Sequence, residues 1–283
     1  MSAVRADIDR IVDAALEEDL GDGDRTTSWT VPDDLVGSAR IVARAAGTVA
    51  GLGFADRVFE RVDPGLERRW AVSDGGRVAA GDAVGAIDGT LASILSGERT
   101  ALNGLAHLSG IATLTARFAT AIAGTGAALV DTRKTTPGWR SLEKAATVAG
   151  GAVNHRMGLY DMVLIKENHI RAAGGVIPAL DAVRARAASE GLLVEIEVTT
   201  LAELDDALTR EPDRILLDNM DLDTLRRAVA RTRDATPRPL LEASGGIDLD
   251  TVRAVAETGV DLVSVGTITH SAPALDLSLL VEP

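Results

Sequence analysis

Residues 131–170 read DTRKTTPGWRSLEKAATVAGGAVNHRMGLYDMVLIKENHI and hold every lysine in the chain: Lys134, Lys144 and Lys166. Lysine and arginine together number 29, so arginine carries the positive charge almost everywhere else. A planar guanidinium does not replace a compact ammonium, and confinement of lysine to one stretch points to positions that need a point charge. Three solvated survivors of a lysine-poor composition would look the same one at a time. Arg133, Arg140, His155 and Arg156 share the stretch. Guanidinium groups grip carboxylates through paired, charge-assisted bonds, so Arg133, Lys134, His155 and Arg156 form a candidate carboxylate pocket. Each alone is also a plausible exposed ion pair; two clusters joined through Gly150-Gly151 favour the pocket. The expected ligand is small and carries several negative charges.

The rest of the composition narrows the partner. A formal net charge of −13 over 283 residues repels nucleic acid and anionic lipid at long range. Aromatic residues are 2% of the chain, which leaves few rings on which bases can stack. The positive stretch is therefore a local pocket and not a polyanion-binding face. Cysteine is absent, which excludes disulfides, thiolate nucleophiles and cysteine-type zinc sites. No run approaches the roughly 20 apolar residues of a membrane span. The first twenty residues are acidic and amphipathic and unlike a signal peptide, so a cytoplasmic location is expected.

The elements that must position these residues change character along the chain. Ile8, Ile11, Val12, Ala15 and Leu16 recur at helical spacing, predicting a helix over 5–19. The first third then mixes short strands and helices without βα alternation, an α+β arrangement. Residues 91–123 form a long helical zone, expected as two helices broken near Ser109-Gly110. Beyond residue 127 short apolar runs at 127–130, 162–165, 193–198, 214–217, 239–242 and 261–265 alternate with amphipathic segments. That alternation implies parallel strands with crossover helices, as an open sheet or a barrel.

Every run deposits a charged or phosphate-compatible group at its C-terminal end: Asp131 to Lys134, Lys166 to His169, Glu195 and Glu197, Asp218-Asn219, Glu242 to Gly246, and Gly266-Thr267. That end is where α/β folds build active sites, so the second part of the chain is expected to be catalytic. Ser244-Gly245-Gly246 and Gly266 suit a phosphate, because glycine lets backbone N–H groups approach the anion. Glu197 and Asp218, on neighbouring strands, are candidates to hold Mg²⁺ with substrate oxygens; alternatively they neutralise Lys166 and Arg133. His107 is expected as a packed histidine without a catalytic part, and His270 as a loop-orienting one.

These motifs resemble a known family. DTRKTTPGWRSLEKAATVAGGAVNHRMGLYD, LIKENHI, EIEV, LLDNM, EASGGI and GVDLVSVGTITHSAPALDLSL, with EDLGDGDRTT, AGTVAGL and SGERTALNGLAHLSGIAT before them, are similar in order and spacing to quinolinate phosphoribosyltransferase. The resemblance implies an N-terminal α/β sandwich domain over 1–110, joined by the tail 271–283, and an open α/β barrel with parallel strands over 111–270. It implies transfer of the phosphoribosyl group of phosphoribosyl pyrophosphate to quinolinate with Mg²⁺ as cofactor and loss of CO2, in NAD biosynthesis. It further implies a homodimer in which Arg99 enters the partner's site, with Arg133, His155 and Arg156 on the two quinolinate carboxylates. Lys134, Lys166, Glu197 and Asp218 would position pyrophosphate, ribose and metal, and Ser244, Gly245 and Gly266 the 5′-phosphate. Thr199-Thr200 departs from the family pattern after EIEV. A paralogue acting on another pyridine carboxylate, a non-catalytic anion-binding protein on the same scaffold, and a lyase using Lys166 as a Schiff-base amine are the alternatives.

Overall fold

The computed structural model describes residues 2–282. In chain order the elements are α1 (Ser2–Leu20), α2 (Arg25–Thr30), β1 (Val36–Ala43), β2 (Gly47–Thr48), α3 (Leu52–Val62), β3 (Glu67–Trp70), β4 (Arg77–Val78), β5 (Ala83–Thr90) and α4 (Leu91–Ala121). There follow β6 (Ala128–Val130), α5 (Arg140–Ala149), β7 (Val163–Ile165), α6 (Glu167–Ala173), α7 (Val176–Glu190), β8 (Val194–Val198), α8 (Leu201–Leu208) and β9 (Arg214–Asp218). The chain closes with α9 (Leu222–Thr232), β10 (Leu240–Ser244), α10 (Val252–Ala256), β11 (Leu262–Ser264), α11 (Thr267–His270) and β12 (Leu277–Glu282). Two compact units emerge: one holds the residues up to Ala116, Thr135–Gly151 and the segment from Ile268 onward; the other holds Arg117–Lys134 and Ala152–Thr267.

In the first unit an antiparallel sheet runs β12-β1-β5-β3, with β2 and β4 as a separate pair. The C-terminal strand pairs with β1 from Ser38↔Glu282 to Ala43↔Leu277. Beneath lies a core of small aliphatics and a few rings, including Val12, Ile41, Phe54, Phe59, Ile87, Ile94 and Leu105, as an aromatic-poor composition requires.

The expected break near Ser109-Gly110 does not occur: α4 is continuous from Leu91 to Ala121. These residues are small for packing reasons. Ser109 Oγ accepts the Ala50 N–H at 3.0 Å and donates to the Ala50 carbonyl at 3.1 Å. A Cβ on Gly110 would stand 2.1 Å from the Pro273 carbonyl oxygen. Glycine here admits a neighbouring backbone to the helix surface, and the hydrogen bonds of the surrounding turns keep the helix intact.

The second unit is an open α/β barrel, a parallel sheet in the order β6-β11-β10-β9-β8-β7. Its register decides what faces where. Glu195 pairs with Arg214, and Glu197 with Leu216; Leu216 pairs with Glu242, and Asp218 with Ser244. Side chains alternate faces along each strand, so Glu195, Glu197, Arg214, Asp218, Glu242 and Ser244 share one face. The opposite face carries Ile196, Val198, Ile215, Leu217, Leu241, Ala243 and Val263, all buried. A parallel sheet is covered on both faces; here one cover is hydrocarbon and the other face collects the polar chemistry.

Candidate active site

The polar face is organised in two layers. At its rim Lys166 follows β7 directly, and its Nζ donates to Glu197 Oε2 at 3.0 Å. The Lys166 backbone N–H donates to His169 Nδ1 at 2.9 Å, so His169 orients the lysine loop. Asp218, at the end of β9, accepts from Asn219 Nδ2 at 2.7 Å. Burial pushes the Asp218 carboxyl up; the Asn219 bond lowers it, the Glu197 charge raises it further, and Lys166 and Lys134 pull it back. Lys134, Lys166, Glu197 and Asp218 therefore share one electrostatic neighbourhood. Two carboxylates that destabilise one another beside a half-buried surface make a donor set that suits a hard, oxygen-seeking divalent cation.

The phosphate-type loop adjoins it. Gly245 has φ +99°, and a Cβ there would meet Asn219 Oδ1 at 2.2 Å, so no other residue fits between the two loops. The Asn219 N–H donates to the Ser244 carbonyl at 2.9 Å, which ties the end of β9 to the end of β10. Gly266 follows β11 closely, on the next strand over.

Arg133 and Arg156 stand close enough that each charge opposes the other. Burial and then the Arg133 charge both work against the Arg156 guanidinium, and Glu195 and Asp161 only partly offset them. Arg156 Nη1 donates to the Met162 carbonyl at 3.2 Å. The Nε atoms of both Arg133 and Arg156 are buried with no hydrogen-bond partner. Buried donors are rarely left orphaned, and two neighbouring guanidinium groups whose Nε atoms each lack a partner suit a doubly charged anion.

Below the rim lies a second layer that the strand-end pattern misassigned. Glu195 and Glu242 sit inside β8 and β10 and not at their ends, 0% and 1% exposed. His155 Nε2 lies 3.0 Å from Glu195 and 3.5 Å from Glu242. Among the described residues these three are the one compact group of at least three metal-type donors. Burial and repulsion from Glu195 push the Glu242 carboxyl up to about 7, with His155 working against the rise. Asp131, also counted among the strand-end charges, is fully buried and accepts the His155 N–H at 2.7 Å. The signal for this layer was present: a carboxylate flanked by aliphatics within a strand, as in VEIEV and LLEAS, belongs to the barrel interior.

The first unit holds the remaining expectations. Arg99 lies on α4 with its side chain 65% exposed, 3.9 Å from Glu98. His107 is one-third exposed, bonded through Nε2 to Glu143 at 2.9 Å and set edge-on to Trp139. Glu143 in turn accepts the Thr136 N–H at 3.2 Å. His270 Nδ1 stands 2.6 Å from Ser271 Oγ, a local loop contact. Thr200, part of the departure after EIEV, caps α8: its hydroxyl accepts the Glu203 N–H and its own N–H donates to Glu203 Oε2, each at 3.2 Å. That is a capping box, a local folding device.

Comparison with known proteins agrees over most of the chain. Residues 24–109 match the model of the quinolinate phosphoribosyl transferase N-terminal domain, and 111–280 that of its C-terminal domain. The chain is 44% identical over 268 residues to the nicotinate-nucleotide pyrophosphorylase [carboxylating] of Mycobacterium leprae, covering 94% of each. It is 43% identical to a probable enzyme of the same name from Synechocystis, covering 94% of this chain and 90% of the relative. The solved nicotinate-nucleotide pyrophosphorylase of Francisella tularensis superimposes with a TM-score of 0.92 at 39% identity, covering 98% of this chain and 96% of that one.

Proposed function

The chain belongs to the quinolinate phosphoribosyltransferase family, and we propose that it joins quinolinate to phosphoribosyl pyrophosphate at the polar face of the barrel. The product set is nicotinate mononucleotide, pyrophosphate and CO2, a step of NAD biosynthesis. The observation that carries the assignment to this face is the pair of buried Nε atoms of Arg133 and Arg156 without hydrogen-bond partners, with the Arg133 charge opposing Arg156: quinolinate supplies two adjacent carboxylates to such a pair. Arg99, exposed on α4, joins them from a second copy in a homodimer.

Chemistry then follows from placement. The pyridine nitrogen attacks C1 of the ribose as the C1–O bond breaks, its electrons leaving with pyrophosphate. Holding nitrogen and C1 together turns a bimolecular encounter into a positioned step. Lys134 and Lys166 stabilise the departing anion, and Glu197 and Asp218 face the ribose, where positive charge grows. Glu197 and Asp218 would hold Mg²⁺, which would supply further neutralisation of the leaving group's negative charge. The positive charge on the alkylated ring nitrogen then stabilises the in-plane electron pair left at C2 as CO2 departs, and that pair takes up a proton. Ser244, Gly245 and Gly266 hold the 5′-phosphate through hydroxyl and backbone N–H groups. No helix among the described residues is long and apolar enough to cross a membrane.

Incubation with quinolinate, phosphoribosyl pyrophosphate and Mg²⁺ is expected to release CO2 and pyrophosphate in equal amounts, and a chelator to stop both. Binding of quinolinate without either product would overturn the catalytic assignment and favour an anion-binding role.

A further inference from the structure

Both ring nitrogens of His155 are engaged within the second unit. Nε2 stands 3.0 Å from Glu195 and 3.5 Å from Glu242. Nδ1 lies 2.7 Å from the backbone nitrogen of Arg156. An amide N–H only donates, so Nδ1 presents a lone pair, and the ring's proton sits on Nε2, toward the carboxylates. The residue is 8% exposed, and its own N–H is tied to Asp131 at 2.7 Å.

We propose that His155 makes no contact with the substrate and is instead a neutral positioning residue, clamped between Glu195 and Glu242 so that Nδ1 fixes the backbone from which Arg156 springs. This rests on the assignment of Arg156 to a quinolinate carboxylate. The charged groups that face the ring or its backbone include Glu195 on β8, Arg214 on β9, Glu242 on β10, Asp131 after β6, and Arg156 itself. Burial resists a charged ring, the two glutamates favour one and raise its proton affinity, and Arg214 opposes them. Geometry limits that pull. A second proton has only Nδ1 to occupy, where it would confront the Arg156 N–H and break the bond that holds it. The proton taken up by the cluster goes to Glu242, whose carboxyl is pushed up by burial and by the Glu195 charge. The imidazole thus keeps one tautomer, and Arg156 keeps one backbone position.

The test uses the full chain with ¹⁵N-labelled histidine, in which the H155N spectrum identifies the signal among four. An unprotonated Nδ1 and a protonated Nε2 are expected from about pH 6 to about 8, across the range in which free histidine titrates, and saturation with quinolinate leaves both unchanged. An imidazolium at neutral pH, or a quinolinate-dependent change at Nδ1, would overturn the proposal. Calorimetry on H155Q, R156K and the double variant separates a relay from a direct contact. H155Q, which loses the Nδ1 acceptor, is expected to weaken quinolinate about tenfold, and the double variant to bind no more weakly than R156K, since contacts that act through one another are not additive. Additive losses would make His155 a ligand in its own right. Wild-type affinity in R156K would overturn the assignment of Arg156, and the relay with it, whatever the spectra show.

Discussion

Single side chains in this protein are legible when their chemistry conflicts with their surroundings. Lysine confined to 131–170 marked Lys134 and Lys166, and the structure puts Lys166 on Glu197 at 3.0 Å. Lys166→Ala is expected to lower kcat on the order of 10²-fold, the scale for removing one preorganised charge from a reacting anion; steady-state kinetics with saturating phosphoribosyl pyrophosphate checks it. A loss confined to KM would assign the lysine to binding alone. What the sequence concealed was depth. Asp131, Glu195 and Glu242 looked like rim charges because spacing reports which face a residue occupies and not how far it lies from solvent. Only the strand register shows that Glu242 stands opposite Leu216 and beneath Ser244.

Glu242 also makes a testable statement about stability. Its carboxyl is at about 7 in the fold against 4.5 for an ordinary glutamate. The folded state therefore holds a proton that the unfolded chain releases, and stability contributed below pH 4.5 is lost as pH rises through about 7. At 1.36 kcal/mol per unit, the loss is on the order of 3 kcal/mol. Denaturant unfolding of wild type and Glu242→Gln over that range is expected to show the wild type falling relative to the variant as pH rises. Parallel curves would mean that the carboxyl is ionised throughout.

At the scale of elements, periodicity located the barrel well. The alternation of strands and helices was visible, although α5, Arg140–Ala149, falls in the first unit and not in the barrel. The exception was α4. Ser109-Gly110 resembles a break because small residues weaken helices, yet the pair faces backbone from elsewhere in the first unit, a tertiary fact with no local signature. Gly110→Ala drives a Cβ into the Pro273 carbonyl and is expected to cost about 1–3 kcal/mol, as overpacking does, seen as a lowered Tm. A neutral substitution would show that the segment around Pro273 yields easily. The strand order was likewise beyond the sequence, since alternation allowed an open sheet or a barrel, and only the β6–β11 pairing brings the last strand back beside the first.

For the whole molecule, a net charge of −13 surrounds a concentrated positive socket. Nucleic acid and anionic membranes are repelled at long range, while a small dianion reaches the local field of Arg133 and Arg156. The proposed sharing of the site between two copies adds a prediction. Arg99→Ala and Arg133→Ala are each expected to be inactive as homodimers, and mixing them to regain about a quarter of wild-type activity, because half the dimers are mixed and each mixed dimer has one complete site. No recovery after verified subunit exchange would confine each site to a single chain.

The central claim is that Arg133 and Arg156, left without partners for their buried Nε atoms, receive the two carboxylates of quinolinate. The crystal structure of the protein soaked with quinolinate tests it most directly. The account predicts density for the pyridine at the barrel's polar face, one carboxylate on each guanidinium and no contact from His155. Quinolinate bound elsewhere, with both Nε atoms still unpartnered, would contradict it.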